Sequence, residues 1–203
     1  MVAARELLLA TNNPGKVREY TRLLAGVGFC LVTPADKRID VEPAETGQTF
    51  ADNAVIKAEA LAAASGLLTL ADDSGLEVDA LAGAPGVRSA RYAGDGATDA
   101  DRNELLLKNM RVVPAAQRTA RFRCAIAIAG GGQPTRVVEG AVEGVIAAAP
   151  RGDGGFGYDP VFCVPELGRT MAELTPEAKN ALSHRARATA KAAAILAEIN
   201  RGG

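Results

Sequence analysis

The segment Leu7–Tyr20 reads LLLATNNPGKVREY and contains the first change from a strand pattern to a helix pattern. Its apolar run, Leu7–Ala10, is typical of a buried strand, and a Pro-Gly pair then turns the chain into a helical pattern that begins at Lys16. Amides at a helix N-terminus attract anions, and Lys16 adds a positive charge. The segment therefore predicts an anion site, such as one for phosphate, formed by Thr11, Asn12, Asn13, Pro14, Gly15 and Lys16. Because it lacks the GxxxxGK[ST] spacing of the commonest phosphate loop, a strand-turn-helix with a solvated lysine remains the alternative.

The composition is that of one folded domain, which we expect to cover residues 1–203. Hydrophobic residues make up 48% and charged residues 23%, so the chain can form a sizeable core. The net charge of −1 argues against a nucleic-acid partner, and no run approaches the roughly 20 apolar residues of a membrane span. Cys30, Cys124 and Cys163 form no CxxC pair, so we expect thiols in a reducing cytoplasm rather than a zinc site or a disulfide framework.

The first half of the chain alternates strands with helices, whereas the second half is dominated by strands. The predicted strands are Leu7–Ala10, Phe29–Thr33, Leu67–Ala71, Arg121–Ala129, Arg136–Val142, Val145–Ala148 and Val161–Val164. The predicted helices are Lys16–Ala25, a segment from Thr49 to Gly66, Asp99–Met110, and one continuous helix from Thr175 to about Asn200. The expected fold class is α/β (mixed α+β), with a long mixed central sheet flanked by helices.

Two adjacent carboxylates, Asp72 and Asp73, follow the apolar run Leu67–Ala71. Adjacent carboxylates repel each other unless a cation or hydrogen bonds compensate. Oxygen ligands of this kind suit magnesium, which also binds substrate phosphates, and one of the pair could orient or deprotonate a water molecule. The alternative is a turn at Asp72–Gly75 that breaks the strand and in which the carboxylates cap their own backbone.

Residues of the preceding loop and helix are candidates to complete such a site. Asn53 and Lys57 lie four residues apart on the predicted helix, so both can face one ligand. Lys57 can equally be a surface charge. Glu45, in the loop before the helix, is a candidate second metal ligand.

The segment Gly154–Asp159, GGFGYD, places two aromatic residues among glycines in a chain with only 4% aromatic residues. Glycines let the backbone approach a ligand closely, and an exposed ring offers a stacking face for a base. A tight turn with Phe156 in the core is the alternative. On the last helix, Lys179 and Ser183 lie one turn apart and share a face. His184 and Arg185 can donate hydrogen bonds to the carbonyl oxygen of a ligand, although a single histidine is often structural.

A phosphate site, paired carboxylates, a stacking ring and donor side chains together indicate a metal-dependent enzyme that acts on a nucleoside polyphosphate. The candidates lie in six ordered motifs, ATNNPGK, TGQTFADNAVIKA, LADDSGLEVDAL, GAPGVRSARYAG, GGFGYDPVF and MAELTPEAKNALSHR. In this order the motifs resemble the noncanonical purine (inosine/xanthosine triphosphate) pyrophosphatases over about residues 7–195. The resemblance implies two lobes around a cleft, a homodimer, and Mg²⁺-dependent hydrolysis of ITP, dITP and XTP to the monophosphate and pyrophosphate.

The resemblance also implies a role for each candidate. Asp73 matches the proton acceptor and magnesium ligand, with Asp72 as the other acidic residue of the catalytic pair and Glu45 as the second metal ligand. Many members have two acidic residues before the Thr-Gly at Thr46, where this chain has Ala44-Glu45. The implied substrate contacts are Thr11–Lys16, Lys57, Ser74, Phe156, Gly157, Tyr158, Asp159, Lys179, His184 and Arg185.

Two other functions remain open at this stage. One is a different enzyme, either a general nucleoside triphosphatase or a pyrophosphatase for modified pyrimidine nucleotides, which product analysis would distinguish. The other is a nucleotide-binding regulator without catalysis, against which the intact Lys16 and Asp72-Asp73 argue.

Overall fold

The computed structural model describes residues 5–202. Its strands form one seven-stranded mixed sheet, which confirms the predicted fold class. The strands β1 to β7 are Arg5–Leu9, Phe29–Val32, Leu68–Val78, Thr119–Gly130, Gln133–Ile146, Phe162–Val164 and Arg169–Thr170. The helices α1 to α5 are Pro14–Leu23, Phe50–Ser65, Asp99–Met110, Pro176–Leu182 and His184–Gly202. Short 3₁₀ turns cover Asp79–Leu81, Gly86–Arg91, Ala115–Gln117 and Met171–Glu173.

The sheet has the strand order β2-β1-β3-β4-β5-β6-β7 and changes character along that order. β1 pairs in parallel with both β2 and β3, so that Leu7 lies opposite Leu31 on one side and Leu68 on the other. Parallel neighbours need long crossovers, which α1 and α2 provide. β6 pairs antiparallel with both β5 and β7, as short connections allow.

The contacts divide the chain into two compact units, each with its own apolar core. The first unit holds the chain up to Asp73, Cys124–Gly140 and the chain from Arg185 onward, and the second holds Ser74–Arg123 and Ala141–His184. The core of the first unit is built from β1, α1, β3, β4 and α5, and includes Leu7, Leu9, Tyr20, Leu70, Ile126 and Leu196. The core of the second unit includes Leu76, Leu106, Met110, Phe122, Phe162 and Met171.

Local signals placed the ends of α2 correctly. The Thr49 side chain accepts a hydrogen bond from the Asp52 amide, and the Asp52 side chain accepts one from the Thr49 amide, which completes the predicted capping box. Gly66 ends the helix with φ +69°, in the left-handed region that favours glycine. α1 begins at Pro14, two residues before the prediction, because the Asn13 side chain caps it.

The predicted break at Asp72–Gly75 is wrong, and so is the alternative of an Asp-rich turn. β3 continues without interruption through Asp72, Asp73, Ser74 and Gly75 as far as Val78. The strand can carry two adjacent carboxylates because cationic side chains from other elements compensate them, as the site geometry shows.

Three further boundaries differ from the prediction. The single C-terminal helix is two helices, α4 and α5, separated at Ser183, whose backbone is extended at φ −65° and ψ 156°. The two predicted strands around Gly144 form one strand, β5. The short edge strand β7 was not predicted, since two residues carry too little pattern to detect.

Candidate active site

The segment Thr11–Lys16 forms the N-terminus of α1, as the sequence predicted. The Asn13 side chain accepts hydrogen bonds from the amides of Gly15 (2.8 Å) and Lys16 (3.1 Å), and the Thr11 hydroxyl accepts one from the Asn13 amide (3.1 Å). Asn12 and Pro14 are exposed, whereas Gly15 is buried. Because Asn13 already satisfies two of the first amides, an anion here depends on the helix dipole and on the lysine more than on free backbone donors.

Lys16 turns inward and pairs with the first carboxylate of β3. Its Nζ lies 2.9 Å from Asp72 Oδ1, whose side chain has no exposed surface. Asp72 also lies 3.5 Å from the Arg185 guanidinium and accepts a hydrogen bond from the Cys124 thiol at 3.9 Å. Burial alone would raise the pKa of Asp72, but the charges of Lys16, Arg185 and Lys57 hold it well below its usual range. Asp72 is therefore a fixed anion.

Arg185 lies in the interior of the first unit, where only 2% of its side chain is exposed. Its guanidinium pairs with Glu19 at 2.5 Å, contacts Asp72, and lies 5.9 Å from the centre of the Tyr20 ring. Burial opposes the charged form, yet the two carboxylates raise the pKa of Arg185 well above its usual value. The sequence did not indicate Glu19, since an acidic residue on a helix 166 positions away gives no local signal of this contact.

Asp73 meets a different set of partners. Its carboxylate accepts hydrogen bonds from Asn53 Nδ2 and Lys57 Nζ, both at 3.2 Å, so the expectation that these two residues of α2 face one site is confirmed. Lys57 also pairs with Glu45 at 3.1 Å and is therefore not a surface charge. Burial raises the pKa of Asp73 above its usual value, and the opposing charge of Lys57 does not fully offset that effect.

The loop before α2 approaches this group closely at Gly47. Its amide donates to Asn53 Oδ1 at 2.8 Å, which fixes the amide side chain that in turn contacts Asp73. A Cβ at position 47 would lie 2.5 Å from Asp52 Cβ and 2.9 Å from the Asn53 amide nitrogen. Only glycine fits, so the loop that carries Glu45 is held against the start of α2.

In the second unit, the predicted base-stacking segment forms an ordered turn around Asp159. The Asp159 carboxylate accepts hydrogen bonds from the Phe156 amide at 2.8 Å and from Lys179 Nζ at 2.6 Å. Lys179 Nζ also lies 5.0 Å from the centre of the Phe156 ring, and that ring is half-buried rather than enclosed in the core. Phe156, Asp159 and Lys179 are therefore brought together, with one aromatic face beside a cation.

The other predicted residues of the second unit lie in more enclosed positions. Tyr158 is buried and donates its hydroxyl to the Ser89 carbonyl at 2.9 Å, and burial raises the pKa of the phenol. His184 is also buried and stacks on Phe122, with ring centres 4.8 Å apart and planes at 20°. Ser74 is half-buried on β3. The sequence motif GAPGVRSARYAG contained Ser89, but only the fold shows that it anchors Tyr158.

Comparison with known proteins identifies the family of this chain. A model of the Ham1 family matches residues 7–195. The chain belongs to the Ham1 family. This confirms the resemblance to the noncanonical purine pyrophosphatases that the six motifs indicated.

Ham1-family relatives are similar along nearly the full chain. A dITP/XTP pyrophosphatase of Geobacillus kaustophilus is 55% identical over 187 residues, 92% of each chain. A dITP/XTP pyrophosphatase of Bacillus subtilis is 48% identical over 196 residues, 97% of this chain and 99% of the relative. The structure of a HAM1 protein from Coxiella burnetii matches with a TM-score of 0.86 at 43% identity, covering 96% of this chain and 99% of that one.

The Ham1-family chain also offers a pair of carboxylates that fits a divalent cation. Asp73 and Glu45 both reach Lys57 Nζ, at 3.2 and 3.1 Å, and thus already converge on one positive charge. Among residues 5–202, no group of three or more His, Cys, Asp or Glu side chains is arranged to hold a metal alone. Two carboxylates suffice for Mg²⁺, which takes its remaining ligands from water and substrate phosphates.

Proposed function

We propose that this protein hydrolyses dITP, XTP and ITP to the nucleoside monophosphate and pyrophosphate, and so removes deaminated purines from the nucleotide pool. The observation that carries the proposal is the pairing of Lys16 with Asp72 and of Lys57 with Asp73 on consecutive residues of β3. This Ham1-family chain thereby offers two lysines that can bind a polyphosphate and one carboxylate that can accept a proton from a water molecule. Relatives at about 50% identity carry the name dITP/XTP pyrophosphatase, which supports the substrate class.

The lysines and carboxylates paired on β3 bind and cleave the triphosphate in this proposal. Lys16, at the positive end of α1, and Lys57, on α2, offset the charge of the phosphates. Asp73 takes up a proton from the water molecule that attacks the α-phosphorus, and pyrophosphate leaves. Asp72 assists by holding Lys16 and Arg185 in place, since its buried carboxylate contacts these two cations.

Mg²⁺ is the proposed cofactor, with Asp73 and Glu45 as its protein ligands. When bound, it would supply positive charge to the phosphates and stabilise the charge that develops on the leaving group. Gly47 holds the loop before α2 in place, and this loop keeps Glu45 next to the Lys57 ammonium.

The turn around Phe156 provides the centre of base recognition in this proposal. The half-buried Phe156 ring provides the stacking face, and Gly157, Tyr158 and Asp159 shape the turn around it. Inosine and xanthosine carry an oxygen acceptor at C6, where adenine carries an amine. A buried donor left unpaired against adenine can discriminate by about 10⁴-fold. The proposed donors are Lys179, His184 and Arg185, and Ser74 is a further proposed substrate contact.

The setting of the enzyme is also proposed. Cys30, Cys124 and Cys163 are all free thiols, which supports a reducing cytoplasm. Within the described residues, no helix is long and apolar enough to cross a membrane. A homodimer follows from the family resemblance, and light scattering of the purified protein would test it.

Pyrophosphate release from ITP, XTP, dITP, GTP and ATP, each with Mg²⁺ and with EDTA, tests the proposal. We expect fast, metal-dependent release from the first three substrates only. Equal rates on all five would leave the chemistry in place but contradict the pool-cleansing role. Release of orthophosphate instead of pyrophosphate would indicate a general triphosphatase.

A further inference from the structure

Two side chains of α3 hold the backbone of Gly157, the central glycine of the turn that carries Phe156. Asp99 Oδ2 accepts a hydrogen bond from the Gly157 amide at 2.6 Å. Asn103 Nδ2 donates one to the Gly157 carbonyl at 3.0 Å. Asp99 and Asn103 are four residues apart, so they lie on one face of the helix, one turn from each other. Both backbone polar groups of a single residue are thus satisfied by one helix.

The local backbone explains why Gly157 needs this support. Its φ is +64°, a conformation open to glycine but rarely adopted by other residues. Glycine also loses more conformational freedom on ordering than any other residue. Two side-chain hydrogen bonds from a helix, one of them to a charged carboxylate, offset that loss and select one conformation of the turn.

The two α3 side chains are themselves fixed. Asp99 is paired with Arg102, whose guanidinium also donates to the carbonyls of Ala90 (3.1 Å) and Ala97 (2.5 Å). Asn103 is 94% buried, as its exposed fraction is 6%. Because neither side chain can move freely, α3 restrains the position of the Gly157 backbone.

The turn itself transmits that position to the proposed stacking face. Phe156 directly precedes Gly157, and its amide is already held by Asp159 at 2.8 Å. Tyr158 directly follows and is anchored on Ser89. Because both neighbours are held, the backbone conformation of Gly157 sets the position of the Phe156 ring relative to the Lys179 ammonium, 5.0 Å from the ring centre.

We propose that Asp99 and Asn103 are positioning residues for purine recognition, which pre-order the Phe156–Tyr158 turn by clamping both polar groups of Gly157. The inference rests on the proposed function, because it takes Phe156 as the stacking face for the base. It assigns a specificity role to α3, a helix that the sequence motifs did not include. Neither residue contacts the phosphates in this scheme, so their loss affects base recognition rather than the chemical step.

The variants Asp99→Ala and Asn103→Leu each remove one of the two hydrogen bonds. We expect the KM for ITP to rise roughly 5- to 20-fold, the range of a lost hydrogen bond, while kcat changes by less than about twofold. The preference for ITP over ATP should fall in parallel. Glu104→Gln is the matched control, since Glu104 is exposed on the next position of α3 and should leave KM unchanged.

A double-variant experiment separates positioning from a general loss of stability. In a Phe156→Ala background the stacking ring is absent, so Asn103→Leu should no longer raise KM. A purely structural effect of Asn103→Leu would persist in that background. The Tm of every variant is measured by thermal unfolding. The kinetic assays are then run well below the lowest Tm, so that unfolded protein does not contribute to the differences in KM.

Amide hydrogen exchange provides a readout that is independent of activity. In Asp99→Ala the Gly157 amide should exchange roughly 10- to 100-fold faster than in the wild type, because a charge-assisted hydrogen bond is lost. If the wild type hydrolyses ITP and both variants have an unchanged KM, the positioning role is contradicted while the proposed function stands. Failure of the wild type to release pyrophosphate from ITP would overturn the proposed function, whatever the exchange rate of Gly157.

Discussion

Replacing Asp72 by asparagine removes one negative charge from a position where two cations depend on it. The Asp72 side chain has no exposed surface, Arg185 has 2% and Lys16 has 16%. Removing one partner of a buried ion pair costs about 3–5 kcal/mol, because the remaining charge stays buried. Arg185 keeps Glu19 at 2.5 Å and Lys16 can turn toward water, so we expect the lower end, about 3 kcal/mol. For a chain of this length that corresponds to a fall in Tm of about 6–12 °C.

Denaturant unfolding of the wild type and of Asp72→Asn, in metal-free buffer at pH 7, measures this difference. Glu143→Gln is the control, since Glu143 pairs with Arg121 at the surface with 72% of its side chain exposed. Such pairs contribute about 0–1 kcal/mol, so this variant should unfold close to the wild type.

The difference between wild type and Asp72→Asn should depend on pH in a defined direction. Because the pKa of Asp72 lies below its usual value of 3.8 in the folded protein, its contribution is fully present above about pH 4. It is lost progressively as the pH falls from that value toward the lower pKa of the folded state, because the carboxylate of the unfolded chain takes up a proton first. A difference in unfolding free energy of less than about 0.5 kcal/mol at pH 7, or one that stays constant down to pH 3, would refute the ion-pair argument.

Three further substitutions have expected outcomes. Asp73→Asn should lower kcat for ITP by roughly 100-fold or more, the scale of a lost general base, and near-normal turnover would exclude the assigned role. Gly47→Ala should destabilise the fold by about 1–3 kcal/mol and lower activity, since its Cβ would lie 2.5 Å from Asp52 Cβ; a wild-type Tm would contradict the close approach. Gly155→Ala combines a φ of +75° with a collision against Asp159 Oδ2, so KM for ITP should rise more than kcat falls.

The parts of the fold that were predicted correctly are those with local causes. The ends of α2 follow from the Thr49–Asp52 capping box and from Gly66, all within a few residues of the helix ends. The range of α3 was predicted without error for the same reason, since Thr98 and Asp101 form a second capping box. The facing of Asn53 and Lys57 toward one site follows from helix geometry alone.

The parts that were missed depend on residues far apart in the chain. Local propensity favours a turn at Asp72-Asp73, and β3 continues only because Lys16, Lys57 and Arg185 supply positive charge from 56, 16 and 113 positions away respectively, by sequence. The contact of Asp99 with Gly157 spans 58 positions and has no local signal. Serine is a common N-cap residue, but one serine within an otherwise helical pattern is too weak a signal to predict the break at Ser183.

Two carboxylates that are identical in chemistry and adjacent in sequence acquire opposite properties because they lie in a strand. Consecutive side chains of a strand point to opposite faces, so Asp72 reaches Lys16 and Arg185 while Asp73 reaches Lys57 and Asn53. Cations outweigh the burial of Asp72 and lower its pKa. Desolvation outweighs the charges of Lys57 and Lys16 at Asp73 and raises its pKa. The uninterrupted strand is therefore what lets one carboxylate hold cations in place while its neighbour remains available to a proton.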